Sequence, residues 1–428
     1  MVIGRLFSRE GKPGLHYGYI IISIGTIIVV GSLGFARFGY TMILPVMQRS
    51  LELSSTEMGL LATGNLTGYL IFSLLGGILA SRYGPKVVIT CSLFVVALAM
   101  VGTGFVQGFA LAFVMRLITG LGSGGSNVPM MGLASSWFSP RKRGMATGLM
   151  SGGSGIGLVL VGIILPRVFG HYGEFGWRVS WYLLGGLVLL IAILAYRFLI
   201  NRPGQLGLPL VGGEMEPEGS GKASSLQWSL VFGSRTIWHM AVIYFLFGFS
   251  YIIYSTFFAS FLVDERGMLE TTAGGLWALI GVLSIFSGLL WGMFSDHFGR
   301  RAGFVAIFTL QFISFLIFSR TFDLSGYLIS SILFGLTAWS IPGVMAASVG
   351  DHLGSRLAPA GLGLVTLIFG IGQALGPAIA GYLADLTTSF SLAFLIAAFG
   401  ALLGAVVSLF LKLQQEPGPV NVKTPYSQ

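Results

Sequence analysis

Charge is what this sequence has least of. Only 9% of its 428 residues are Asp, Glu, Lys or Arg, where soluble domains carry about 25%. So few charges cannot cover a water-facing surface, and most of the chain must therefore face a lipid bilayer. Cysteine is almost absent. Cys91 alone excludes a disulfide within the chain and any cysteine-based metal cluster. No Ser-His-Asp set, metal cluster or phosphate loop is placed for chemistry, so no enzyme, cofactor or metal is expected. The net charge of +9 does not imply nucleic acid, because the basic residues fall between apolar runs and not along one face.

What the sequence has instead is apolar length. A spanning helix needs about 20 mainly apolar residues. Runs of that kind lie near 18–46, 55–80, 87–107, 110–134, 143–169 and 177–199. A second set lies near 238–262, 270–294, 302–320, 325–349, 358–384 and 389–412. The expected fold is all-α, with twelve transmembrane helices in two six-helix bundles, 1–199 and 238–412. They are joined by a polar linker, 200–237, and followed by a tail, 413–428. The first run is too long for the apolar core of a signal peptide, so it reads as a retained span. With the N-terminus inside, seventeen Lys and Arg fall on the cytoplasmic side. Five fall outside: Arg49, Arg167, Arg178, Arg266 and Arg320. That is the positive-inside bias of a correct topology, and both termini are expected in the cytoplasm of a prokaryotic inner membrane.

The chain repeats itself. Shifted by about 215 residues, Gly77-Ile-Leu-Ala-Ser-Arg-Tyr-Gly-Pro-Lys86 falls on Gly292-Met-Phe-Ser-Asp-His-Phe-Gly-Arg-Arg301. With one residue of slip, Gly34-Phe-Ala-Arg-Phe-Gly-Tyr40 falls on Gly248-Phe-Ser-Tyr-Ile-Ile-Tyr254. The ten-residue loop resembles the signature of the major facilitator superfamily between its second and third helices, Gly-x-Leu-Ala-Asp-Arg-x-Gly-Arg-Arg. The copy carrying Gly292, Asp296, Gly299, Arg300 and Arg301 is nearly complete. In the copy carrying Gly77, Ser81, Arg82 and Gly84, Ser81 replaces the acid and Pro85 the first paired base. The resemblance implies a transporter working by alternating access, with these loops as gates. Ser81 can cap a helix but cannot supply the charge that latches one state.

Arg37 and Arg116 are the only ionisable residues well inside the expected spans; Glu57, Asp351 and Asp385 sit close to ends. A charge at mid-bilayer costs about 2.5–3.5 kcal/mol on insertion scales and is a functional candidate by default. Arginine cannot shed its proton to escape that cost, so it needs an anion. Arg37 lies about 13 Å and Arg116 about 9 Å below one surface, close enough in depth to meet. Gly120, Ser123 and Asn127 share a helical face with Arg116, and Tyr40 and Thr41 follow Arg37. Tyr244, Tyr251, Tyr254 and Ser255 form a stripe on the seventh span. Gln373 lies in the eleventh, although polar side chains of this kind also join helices to one another. In the resembled fold the first, fourth, seventh and tenth spans surround the cavity, so both arginines would line it. The blander readings are a snorkelling Arg37, a structural Arg116 in its Arg-x-x-x-Gly-x-Gly motif, and a tyrosine stripe that only packs.

The planar guanidinium fork suits a carboxylate, so the expected cargo is a small organic anion. Trp137-Phe138, Gly144-Met-Ala-Thr-Gly148 and Gly176-Trp-Arg178 resemble the bacterial monocarboxylate and oxalate/formate-type group. Arginines on the first and fourth spans are similar to those of organic anion:cation symporters. The acids expected there are replaced by Ala36 and Ser123, so uniport or anion exchange fits better than proton symport. The alternative is a drug or lipophile exporter driven by ion exchange. A monomer suffices for either activity.

Overall fold

The computed structural model describes residues 16–213 and 231–412. Arg5, Arg9, Lys12, the linker from 214 to 230 and the tail 413–428 lie outside the described residues. The chain is all-helical, with 11 helical runs long and apolar enough to cross a membrane. The first is Tyr17–Leu51, followed by Ser55–Tyr83, Pro85–Gly104, Phe109–Trp137 and the 58-residue run Arg141–Phe198. Arg235–Glu265, Glu270–Phe298, Arg300–Arg320, Leu324–Gly354, Leu357–Thr387 and Ser391–Leu409 complete the set. All the expected apolar runs are therefore helical, with ends shifted by a few residues. The largest shifts, of five residues, extend the first helix to Leu51 and the run near 325–349 to Gly354.

Local chemistry sets the helix ends. Ser54 accepts from the Glu57 N–H at 3.1 Å while the Glu57 carboxylate accepts from the Ser54 N–H at 2.9 Å, a reciprocal cap that satisfies two orphan donors. Pro85 and Pro140 occupy first-turn positions, where a missing N–H costs nothing. Gly84 and Gly299 stand at φ 88° and 89° in the two loop copies, a region that favours glycine. The side-chain Oδ1 of Asn201 accepts from the Lys86 N–H at 2.8 Å and holds the first of those loops.

The start of the expected flexible linker is ordered. After Phe198 the chain makes a short turn at Pro203–Leu206. It then lays Val211 against Trp137 and Ser139, with backbone bonds of 2.9 and 3.2 Å. The Trp137 indole donates to the Ile200 carbonyl at 2.9 Å.

Backbone-to-backbone contact between the first and second parts of the chain depends on glycine. A Cβ on Gly162 would stand 2.4 Å from the Gly274 carbonyl oxygen, and one on Gly155 2.6 Å from that of Gly281. A Cβ on Gly59 would meet the Pro377 carbonyl oxygen at 2.1 Å, and one on Gly381 that of Ser55 at 2.1 Å. Small residues let apolar helices approach closely where lipid supplies no hydrophobic drive between them.

Polar contacts between the two parts gather at the end carrying Arg49. Arg49 pairs with Asp264 and, at 3.3 Å, with Glu270. The Asp385 carboxylate accepts from the N–H groups of Ser55 and Thr56, both at 2.8 Å, and from the Thr56 hydroxyl. It thus caps the helix Ser55–Tyr83 from across the interface. Thr63 donates to the Ala374 carbonyl at 2.7 Å and Thr41 to that of Ser255 at 2.6 Å.

Gly162→Ala is therefore expected to lower unfolding stability by about 1–3 kcal/mol, the usual range for overpacking. Gly170→Ala, where a Cβ meets nothing within 4 Å, should leave it unchanged or raise it by about 1 kcal/mol or less. Thermal unfolding of the two purified variants beside the parent checks this, and equal melting of both variants would refute the tight-contact account.

Candidate functional site

Arg37 ends a stretch of wider helical turns, Val30–Phe38, inside the first helix. Such π segments recur at functional sites because they displace a side chain and loosen the regular backbone bonding. Gly34 on this segment sits against Gly157, where a Cβ would lie 2.6 Å from the facing Cα, so the widened turns nest into the neighbouring helix. The Arg116 side chain reaches across and donates from Nη1 to the Ala36 carbonyl at 2.7 Å. The fourth helix thereby grips the backbone that carries Arg37.

Both guanidinium groups lie on aromatic rings. Arg37 stands 4.2 Å from the Tyr69 ring centre, and Arg116 stands 4.5 Å from Tyr40 and 5.3 Å from Trp181. A desolvated cation over a ring face gains about 2 kcal/mol, which offsets part of the cost of burial. Neither forms an ion pair with a carboxylate among the described residues; the ion pairs there belong to Arg49 and Arg300. Arg116 is 1% exposed. Its Nε, together with Nε and Nη2 of Arg37, is buried without a hydrogen-bond partner.

Arg37, Tyr40 and Arg116 line one cavity with Asn65, Leu66 and Ile252 among its other walls. The free volume for a water-sized sphere is about 10 Å³, close to what one water needs. Each part of the chain also carries a polar chain of its own nearby. Asn127 donates to the Tyr69 hydroxyl at 2.9 Å, and Tyr69 carries Arg37. Across the interface Gln373 donates to the Tyr251 hydroxyl, and the Tyr251 ring stacks on Phe247 at 4.7 Å.

Two expected site residues stand elsewhere. Ser123 is fully buried and donates to the Thr119 carbonyl of its own helix at 2.9 Å. Tyr254 points into an aromatic cluster with Phe318 and Phe334, at 4.7 and 4.3 Å, and bonds Ser330 at 2.9 Å. Helix periodicity placed both on the right helices, yet rotation about the axis carries them away from the cavity. Asn65 and Tyr69 were missed by sequence reasoning. The signal was an amide and a phenol four residues apart, on one face of the helix Ser55–Tyr83. That helix supplies a cavity wall that the resembled fold led us to expect from the tenth span.

The acids near the helix ends are engaged in structure. Glu57 closes its cap, Asp385 caps the same helix from the opposite side, and Asp351 accepts from Arg300 Nε at 2.9 Å. Arg300 also bonds Asp296 and, at 2.9 Å, Ser295. In the other loop copy Ser81 donates to the Ile78 carbonyl at 2.7 Å. It therefore bonds within its own helix and does not cap a neighbouring one. Arg82 lies over the adjacent Tyr83 ring at 5.4 Å, and around both Gly77 and Gly292 a Cβ would meet nothing within 4 Å.

The fold resembles that of a bacterial homologue of the human lysosomal transporter Spinster, solved inward-facing and unoccupied. The TM-score is 0.75 at 16% identity, over 94% of this chain and 97% of that one. The chain is 24% identical to the hexuronate transporter of Bacillus subtilis, over 99% of this chain and all of that protein. It is 27% identical to the probable sulfoacetate transporter SauU of Cupriavidus necator, over 88% of this chain and 89% of that protein. Residues 29–409 match the model of the family described as uncharacterised MFS-type transporter YbfB. With that match spanning nearly every helix, the chain belongs to this family: it is a multi-pass membrane transporter of the major facilitator type and not an enzyme.

Proposed function

We propose that this transporter carries a small organic carboxylate, bound first by Arg37, through alternating access between two six-helix bundles. The observation that carries the reading is the pair of buried, unpartnered Arg37 nitrogens in a cavity between the two parts of the chain. A carboxylate supplies the missing charge and two acceptor oxygens to such a fork. Hexuronate and sulfoacetate, named for two relatives, are both organic anions. Arg116 contributes positive potential, while its Nη1 remains engaged by Ala36.

Twelve spans follow if the run Arg141–Phe198 crosses twice. Its 58 residues extend about 87 Å as helix against a hydrocarbon core of about 30 Å. The backbone turns at Gly173, φ 55°. The segment 200–237 then joins bundles 1–199 and 238–412. With both termini cytoplasmic, the Arg49 end is external and the described conformation is closed there. Asp385 latches that closed end, and Asp296 with Arg300 tightens the cytoplasmic loop of the second bundle. The partners of this reading are the anionic substrate and the bilayer, and one chain forms the complete pathway.

Arg37→Ala should lower uptake of the transported carboxylate into proteoliposomes about 100-fold. Each hydrogen bond to a charged group is worth about 1.5–3 kcal/mol, and about 1.4 kcal/mol is tenfold. Arg37→Lys should recover only part of it, because a point charge lacks the fork. Uptake unchanged in Arg37→Ala would end the reading. Asp385→Ala removes a helix cap worth about 0.5–2 kcal/mol from the closed end. Labelling of Ala62→Cys in a Cys91→Ser background by an impermeant maleimide added outside should then quicken about 2- to 30-fold. Equal rates would show that Asp385 does not latch the gate.

A further inference from the structure

We infer that the cavity holds a second recognition element, a hydroxyl subsite formed by Asn65 Oδ1 and Arg116 Nε, so that the cargo is a hydroxylated carboxylate. The inference rests on the carboxylate reading above and adds a requirement to it. Asn65 is 1% exposed and lines the cavity beside Arg116. Its amide nitrogen donates to the Arg116 backbone carbonyl at 3.2 Å, which fixes the orientation of the amide and leaves Oδ1 as the free end. That oxygen is buried without a partner, as is Arg116 Nε. Arg116 cannot swing to find another acceptor without breaking its 2.7 Å bond to Ala36.

Three hydroxyl groups of the cavity wall are already engaged, while Thr256 also lines it. The Tyr40 hydroxyl donates to the Met58 carbonyl at 2.9 Å, Thr41 to that of Ser255 at 2.6 Å, and Ser255 to that of Ile252 at 3.3 Å. The buried atoms of the lining left without a partner are three donors, Arg37 Nε and Nη2 and Arg116 Nε, and one acceptor, Asn65 Oδ1. A carboxylate satisfies the Arg37 donors but repels an amide oxygen, since both are acceptors. An ammonium group would satisfy Asn65 and repel both arginines. A hydroxyl both accepts and donates, so a single such group answers a donor and an acceptor together. It accepts from Arg116 Nε and donates to Asn65 Oδ1. A site built to bond a hydroxyl discriminates strongly against the analogue lacking it, because its own buried groups are then left unpaired.

The test is calorimetric titration of the purified full-length protein with paired acids that differ only in hydroxylation: propionate with lactate, and succinate with malate and tartrate. In at least one pair the hydroxylated acid should bind about tenfold tighter or more. Asn65→Leu should abolish that preference while still binding the deoxy acid, whereas Arg37→Ala should lose both acids. Equal binding within every pair overturns the hydroxyl subsite and leaves the carboxylate reading standing. A preference that survives in Asn65→Leu overturns it as well. Binding of neither member of any pair by the parent, beside binding of lipophilic cations, overturns both readings together. Should Asn65→Leu fail to fold, Asn65→Ala serves the same purpose, and the parent's preference between paired acids already decides against the subsite if it is absent.

Discussion

A guanidinium that cannot lose its proton has to be stabilised wherever it is buried, and in this chain Arg116 is buried and Arg37 half-buried within membrane-length helices. Much of the central architecture follows from how that is done without a neighbouring carboxylate. Arg116 is held by a backbone carbonyl, a phenol ring and an indole ring. Arg37 lies over the Tyr69 ring, with its Nε and Nη2 left without a partner. The difference is one of degree: Arg116 has one nitrogen bonded to the backbone and its Nε without a partner, and Arg37 has two nitrogens without a partner.

The two are coupled through the backbone. The carbonyl that Arg116 grips belongs to Ala36, the residue before Arg37 and part of the widened turns Val30–Phe38. Regular α-helical bonding would leave less freedom for that carbonyl to turn toward a side chain on another helix. The glycine-to-glycine contact at Gly34 and Gly157 then lets the displaced segment pack without a void. Local backbone irregularity, interhelical packing and charge placement are therefore one arrangement.

At the closed end the same chain uses its acids differently. Asp385 and the Asp264–Glu270 pair bind backbone N–H groups and Arg49 from opposite sides of the interface. Such contacts near water are individually weak. The glycine contacts at Gly59, Gly155, Gly162 and Gly381 bring the backbones close enough for these bonds to form.

The sequence by itself determined the class of the molecule. Low charge and long apolar runs force helices in a bilayer, because each helix satisfies its own backbone bonds. The shifted repeat and the loop at Gly292–Arg301 pointed to the superfamily, and the rarity of buried charge singled out Arg37 and Arg116. Among the residues that periodicity drew toward the centre, Tyr40 lines the cavity with Arg37 and Arg116, while Asn127, Tyr251 and Gln373 bond to other side chains of their own part of the chain. What only the tertiary structure decided was which polar atoms are left over. Ser123 and Tyr254 look like Tyr40 in sequence, yet each finds a partner outside the cavity, and Asn65 was inconspicuous until its amide was seen bonded at one end only. Hydrogen-bond balance depends on helix rotation and on neighbours distant in the chain, and a linear pattern carries neither.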